Sequence, residues 1–188
     1  MDYPVLKEFP HEIHTKRLLI RLPLPGDGKA VHEAIQFSQS ELKQWLPFAQ
    51  NEQTLEETEA NVREAQIQFL QREDLRFHIF DKHAKAFLGC TGLHRINWKV
   101  PKFEIGYWVD TRQQGKGIIS EAVEALTKFA FEELRANRVE IRCDEENYRS
   151  RAIPKKLGFE LEGIHYHDSR SVDGLSLRNT CVYAKLNY

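Results

Sequence analysis

The chain has 188 residues, enough for one domain with a full buried core. Its 27 Lys and Arg against 28 Asp and Glu leave a net charge of −1, so nothing demands nucleic acid or an anionic membrane as a partner. No apolar run approaches membrane-spanning length, and the acidic, proline-broken start MDYPVLKEFP is unlike a signal peptide, which predicts a cytoplasmic protein.

In chain order, Lys16 to Leu22 reads as a first strand, and Pro23 to Gly28 as a turn. A helix follows over Lys29 to Gln39, with Val31, Ala34 and Ile35 on one face, and a second short helical piece covers Glu41 to Trp45. Thr54-Leu55-Glu56-Glu57 is a capping box that opens a helix to about Arg72. Leu75 to Phe80 and Ala86 to Ile96 form two strands about a turn at Asp81 to Lys85. Phe103 to Val109 alternates as a strand, and Ile118 to Leu134 repeats apolar residues at three- and four-residue steps as a helix. A strand at Arg138 to Cys143 follows, then a short helix from Tyr148 to Leu157 stopped by Gly158, then strands Phe159 to Tyr166 and Leu177 to Leu186. This order predicts a mixed α+β sheet with helices on its faces. With no repeat, low-complexity tract or Gly/Ser linker, residues 1–188 read as a single domain. Cys90, Cys143 and Cys181 are odd in number and widely spaced, and are expected to be buried free thiols.

Two segments carry chemistry. The first is Arg112-Gln113-Gln114-Gly115-Lys116-Gly117, between a strand and a helix N-terminus. Two glycines two apart let backbone N–H groups converge, and the helix dipole points at the same spot, so the segment is an anion site. It is neither a Walker loop, lacking GK[ST], nor the GxGxxG fingerprint. The second is Asn147-x-x-Ser150, followed by Leu157-Gly158-Phe159.

RxxGxG after a strand, then N-x-x-S and LGF, resembles the two acetyl-CoA segments of the GCN5-related N-acetyltransferases (the GNAT superfamily). Thr15-x-Arg17-Leu18-x-Ile20-Arg21 and Phe103-Glu104-Ile105-Gly106-Tyr107-Trp108 are similar to the RimJ/RimL branch, which acetylates protein N-termini, notably of ribosomal proteins. The resemblance covers nearly the whole chain. It implies the GNAT fold, a mixed, mostly antiparallel sheet of about seven strands with helices on both faces.

It also implies that the strands ending near Val109 and Cys143 splay apart around the pantetheine arm of acetyl-CoA. That arm would bond to the backbone of Trp108 and Val109, and the pyrophosphate would rest on the N–H groups of Gln114, Gly115, Lys116, Gly117 and Ile118. Arg112 and Lys116 would add charge, unless Lys116 is merely solvated. Asn147 would bond the pantetheine amide, cap the last helix, or both. The reaction implied is direct attack by an amine in a ternary complex. An α-amine of pKa ~7.8 is about a tenth neutral at pH 7, whereas lysine at ~10.4 is below about 0.1%, so a protein N-terminus needs only a weak base. Glu104 and Asp168 are the candidates. The tyrosine that many superfamily members place seven residues after the Asn is Pro154 here. The RimJ/RimL resemblance implies instead the serine of N-x-x-S, Ser150, as donor to the departing sulfur, with the cap of the last helix as its other reading.

The acceptor is expected to be a protein N-terminus. A small amine such as an aminoglycoside or polyamine is the alternative, favoured by Glu41, Glu52, Glu56, Glu57 and Glu59, and a non-catalytic acyl-CoA-binding module is a further one. No metal is expected, since His165 and His167 lack a third ligand at diagnostic spacing. A homodimer is left open.

Overall fold

The computed structural model describes residues 3–187. Residues of alternating polarity form the strands β1 (Glu12–His14), β2 (Leu18–Arg21), β3 (Leu75–Asp81), β4 (Phe87–Asn97), β5 (Lys102–Val109), β6 (Arg138–Asp144), β7 (Glu160–Arg170) and β8 (Leu177–Leu186). They make one sheet in the order β1-β2-β3-β4-β5-β6-β8-β7. Every neighbouring pair is antiparallel except β5 and β6.

The helices are α1 (Gly28–Leu42), α2 (Leu55–Gln71), α3 (Ile118–Glu132) and α4 (Tyr148–Lys156). The strand period of two sorts the core between the faces. Leu75, Phe77 and Ile79 of β3 join Phe103 and Ile105 of β5 beneath Ile119, Ala122, Val123 and Leu126 of α3, and Ile153 of α4 packs on the same side. The alternate residues Phe80, Cys90 and Trp108 meet Val31, Ala34 and Ile35 of α1 and Val62 of α2. The Thr54–Glu57 capping box opens α2 with both of its reciprocal bonds present.

The sheet has eight strands rather than about seven. Glu12–His14 adds an edge strand, Ile13 opposite Ile20, and three residues with one apolar side chain carry no alternation to read. The helix expected to stop at Gln39 continues as α1 through Ser40 to Leu42, because Ser38 and Leu42 face the interior one turn apart. The chain then turns into a 3-10 segment at Pro47–Ala49. β7 runs on past Tyr166 to Arg170, through a positive φ of 53° at His167 and a shift of register between His165 and Ser169. That irregularity leaves residues of β7 without a partner on β8 and bends the strand locally.

Asp27 joins β2, β3 and the start of α1. It accepts bonds from Arg21 Nη1 and Nη2 at 2.8 and 2.7 Å and from Leu24 N at 3.0 Å, and it holds His78 Nδ1 at 2.8 Å. Burial pushes its carboxyl up, but the bonds from Arg21 and His78 outweigh it and hold the group well below the usual carboxylate range. A carboxyl depressed in the fold stabilises above its unfolded pKa, and that contribution is lost as pH falls. Asp27→Asn should therefore cost about 3 kcal/mol at pH 7 by leaving Arg21 unpaired. Urea unfolding of both proteins should show the gap narrowing towards pH 3.

Candidate active site

β5 and β6 run parallel but pair only at Lys102–Arg138, Phe103–Val139 and Glu104–Glu140. Beyond these, β5 stays with β4 as far as Val109, while β6 stays with β8 as far as Asp144. The two strands part, and a cleft of about 1340 Å³ opens between them. Its walls are Ile105–Val109, Arg142–Asp144 and the first turn of α4, with Trp45, Leu46 and Pro47 above and Asp168–Val172 from β7 and its turn at one end. The free edge of β5 at Trp108 and Val109 can accept an extended chain as an added strand.

The glycine loop stands at the carboxyl end of β5. Gly115 and Gly117 take φ of +75° and +74°, conformations that cost other residues about 1–2 kcal/mol. Among the described residues, the N–H groups of 115–118 find no backbone acceptor, and Ile118 is the first residue of α3. That is the geometry of an anion cradle. The Thr15-x-Arg17 motif fastens it. Arg17 Nη1 donates to Lys116 O at 3.0 Å and Nε to Glu121 Oε2 at 2.6 Å, and Thr15 Oγ1 reaches Glu121 Oε1. Burial pushes the Glu121 carboxyl up, and the bonds from Thr15 and Arg17 bring it below the usual range.

The two cations expected beside the loop are engaged locally. Arg112 is clamped by the buried Asp110 through Nε at 2.9 and 3.0 Å and lies over the Phe37 ring. Lys116 Nζ is held by Arg112 O and Gln113 Oε1. Arg149, which sequence reasoning passed over, spans from α4 to Gln114 Oε1 at 2.9 Å and lines the cleft.

At the second segment the cap of α4 is Asn147, not Ser150. Asn147 Oδ1 accepts from Ser150 N at 3.0 Å, leaving its amide NH₂ as a donor. Ser150 is thus the third residue of α4, and Pro154 falls inside the helix. A proline there has no N–H for the carbonyl four residues back, which is that of Ser150. Tyr107 Oη donates to that carbonyl at 2.9 Å and lies 3.2 Å from Ser150 Oγ. The tyrosine proton is spent on the carbonyl, so the serine hydroxyl sits beside an acceptor oxygen. Burial pushes the Tyr107 phenol up, which keeps it a donor at neutral pH. Cys143 is not buried as expected but half-buried on the cleft wall, its thiol pushed up to about 11 by burial.

A profile of the Acetyltransferase (GNAT) domain matches residues 17–160. The chain belongs to the GNAT acetyltransferase family. It is 34% identical over 150 residues to YdaF of Bacillus subtilis (strain 168), which carries the name of a ribosomal N-acetyltransferase; 79% of this chain and 81% of YdaF are covered. It is 30% identical to the ribosomal-protein-serine acetyltransferase of Escherichia coli (strain K12), covering 72% and 74%. The solved structure of RimL, a ribosomal L7/L12 alpha-N-protein acetyltransferase in complex with coenzyme A, superposes with a TM-score of 0.86 at 24% identity, covering 93% of this chain and 97% of that one.

The carboxylates of this GNAT enzyme differ in their surroundings. Glu104 lines the cleft, 3.4 Å from Arg95, and burial pushes its carboxyl above the usual range against the pull of Arg95 and Arg142. Asp168 also lines the cleft, brought there by the irregularity in β7. A bond from Thr180 holds its carboxyl below the usual range against burial, with the Arg142 guanidinium at 2.9 Å adding to the effect. Among the described residues no group of three His, Cys, Asp or Glu is arranged to hold a metal ion, and no helix is long and apolar enough to cross a membrane.

The loop geometry makes a direct prediction. An alanine Cβ at Gly117 would meet only Arg17 Nη2, at 3.6 Å, so the fold should survive Gly117→Ala. The left-handed φ would be resisted and the N–H groups re-aimed. Losing one charge-assisted bond should weaken acetyl-CoA binding about 10- to 100-fold in calorimetry, while the strained φ lowers the melting temperature by only a few degrees.

Proposed function

We propose that the enzyme transfers the acetyl group of acetyl-CoA to the N-terminal α-amine of a protein, with ribosomal proteins as the favoured class. The observation that carries this reading is the cleft between β5 and β6, flanked by the glycine loop and by Asn147 and Ser150. The YdaF and Escherichia coli relatives, both named for ribosomal substrates, supply the acceptor class. The same substrate class makes the cytoplasm the proposed location.

The residues divide the work. Gly115, Lys116, Gly117 and Ile118 hold the pyrophosphate on their N–H groups, that of Gln114 being given to Thr111 O at 3.2 Å, with Arg149 and the more committed Arg112 nearby. Trp108 and Val109 pair with the pantetheine arm, and the Asn147 amide donates to it. The amine attacks the thioester carbon directly in a ternary complex, forming the C–N bond as the C–S bond breaks. Ser150, whose hydroxyl rests against the Tyr107 oxygen, turns its one proton from that oxygen to the sulfur as charge gathers there. Of the two carboxylates Glu104 is the better placed to receive a proton, because its raised affinity for protons suits a base and Asp168 is committed to Arg142 and Thr180.

A polycationic small molecule fits less well. Glu57 is consumed in the capping box of α2, and Glu59 accepts from Gly26 N, Gly28 N and Arg63. Two of the acidic residues that suggested such a substrate are therefore structural.

A peptide with a free N-terminal serine and one internal lysine separates the acceptors. Mass spectrometry should find the acetyl group on the α-amine, and modification of lysine alone would refute the proposal. Ser150→Ala should lower kcat about 10- to 100-fold with acetyl-CoA binding nearly unchanged, the effect of losing a donor to a charged atom. Tyr107→Phe should lower kcat less. It should also cost about 1–2 kcal/mol of stability, because the Ser150 carbonyl loses its substitute donor. Steady-state kinetics beside thermal melts of both variants checks each part.

A further inference from the structure

A second cavity, of about 740 Å³, lies between α1, α2 and the sheet, and it meets the cleft at Leu46, Pro47 and Gly106–Trp108. Its floor holds an imidazole in an unusual seat. Gly92 and Gly106 face each other across β4 and β5, and the His94 ring folds back over both. A Cβ at Gly92 would lie 2.7 Å from its Cε1 and Nε2, and one at Gly106 would lie 2.9 and 3.0 Å from its Cδ2 and Nε2. Two glycines in central strands weaken a sheet, and here they leave the space that the ring fills.

The ring is also oriented. Asp74, in the turn between α2 and β3, holds His94 Nδ1 at 2.6 Å. With the carboxylate accepting from Nδ1–H, the neutral ring presents Nε2 as a bare acceptor over Gly106, a residue common to both cavities. The His94 side chain is 32% exposed and lines the cavity, so the ring is not sealed in the core. The other charged groups facing this region are Arg76 and the buried His78 from β3, Glu52 and Glu57 from the α2 side, and Glu104 and Arg95 beside His94 on the sheet.

We infer that His94, oriented by Asp74, takes the proton from the acceptor amine, and that the second cavity is where that amine arrives. The inference rests on the acetyl-transfer reading and assigns to His94 the role otherwise left to Glu104. With Nδ1 held by Asp74, Nε2 is the ring atom left to accept a proton, whereas the Glu104 carboxylate lies 3.4 Å from the Arg95 guanidinium. The ammonium gives one proton to Nε2, which passes it to solvent. The freed amine attacks the thioester carbon, the C–N bond forms, the C–S bond breaks, and the remaining surplus proton of the nitrogen leaves with the thiol. Glu104, opposite His94 on β5, supplies negative charge that holds the ammonium at the mouth of the cleft.

The test measures CoA thiol release with an N-terminal serine hexapeptide, the same peptide blocked at its N-terminus but carrying a lysine, and spermidine. The wild type alone decides the acceptor class. The ratio of variant to wild type on the fastest acceptor decides the role of His94, so the two readings fail separately. His94→Ala should lower kcat about 100-fold, and added imidazole should restore it at least about tenfold in proportion to its neutral form, as for a lost general base. His94→Asn, whose amide can still donate to Asp74, should melt like the wild type yet remain as slow as His94→Ala without rescue. Asp74→Asn should be intermediate. Near-normal kcat in His94→Asn, or a loss in His94→Ala that imidazole does not relieve, would overturn the assignment and leave the pair as a fastener of the turn between α2 and β3.

Discussion

β5 and β6 pair with each other only at their first residues and then diverge, and the rest of the site follows from that divergence. Each strand holds its antiparallel neighbour to its end, β4 for one and β8 for the other, while the parallel pairing stops after Glu104 and Glu140. Because the two strands run the same way, both carboxyl ends lie at the open side of the gap. Each is followed by a short turn and a helix, Gly117 leading into α3 and Asn147 into α4. The α3 N-terminus with its uncommitted N–H groups and the α4 N-terminus with the Asn147 amide therefore converge on one cleft, the favourable setting for an extended molecule that ends in phosphates.

A second constraint is local and lies in α4. Pro154 removes a backbone donor from the middle of a nine-residue helix, and the orphaned Ser150 carbonyl is served by a side chain from β5. The substitution of Tyr107 for a backbone N–H ties α4 across the cleft to the opposite strand. It also puts a phenol oxygen next to Ser150 Oγ, so a defect in the helix and the placement of the proposed catalytic hydroxyl share one hydrogen-bonding group.

The two faces of β5 divide the chemistry. Tyr107 points towards α4 and the core cluster beneath α3, whereas Glu104, Gly106 and Trp108 share the opposite face with His94 and the second cavity. In the proposed reaction the acyl donor and the acceptor amine thus approach the same few residues of one strand from different directions. Trp108 is common to both, touching the aromatic packing of Phe48 and Phe87 on one side and the cleft on the other.

Local rules sufficed for what is set within a few residues. Alternation made β3, β4 and β5 legible, helical periodicity made α3 legible, and Gly115 and Gly117 marked a turn into a helix N-terminus, because each of these depends on backbone geometry over short spans. The family-like motifs located the two segments of the cleft for the same reason. The edge strand β1 was too short to show a period, and the helix read as ending at Gln39 runs on because tertiary packing of Ser38 and Leu42 carries α1 past it. The functional partnerships were beyond local reading altogether. Arg17 with Lys116, Tyr107 with Ser150, and Asp74 with His94 are separated by 99, 43 and 20 residues, and which atoms meet is decided by strand order and register. That the cap of α4 is Asn147, that Arg112 is taken by Asp110, and that two glycines face each other beneath an imidazole are likewise outcomes of the folded sheet, since each depends on where one side chain lies relative to another in space.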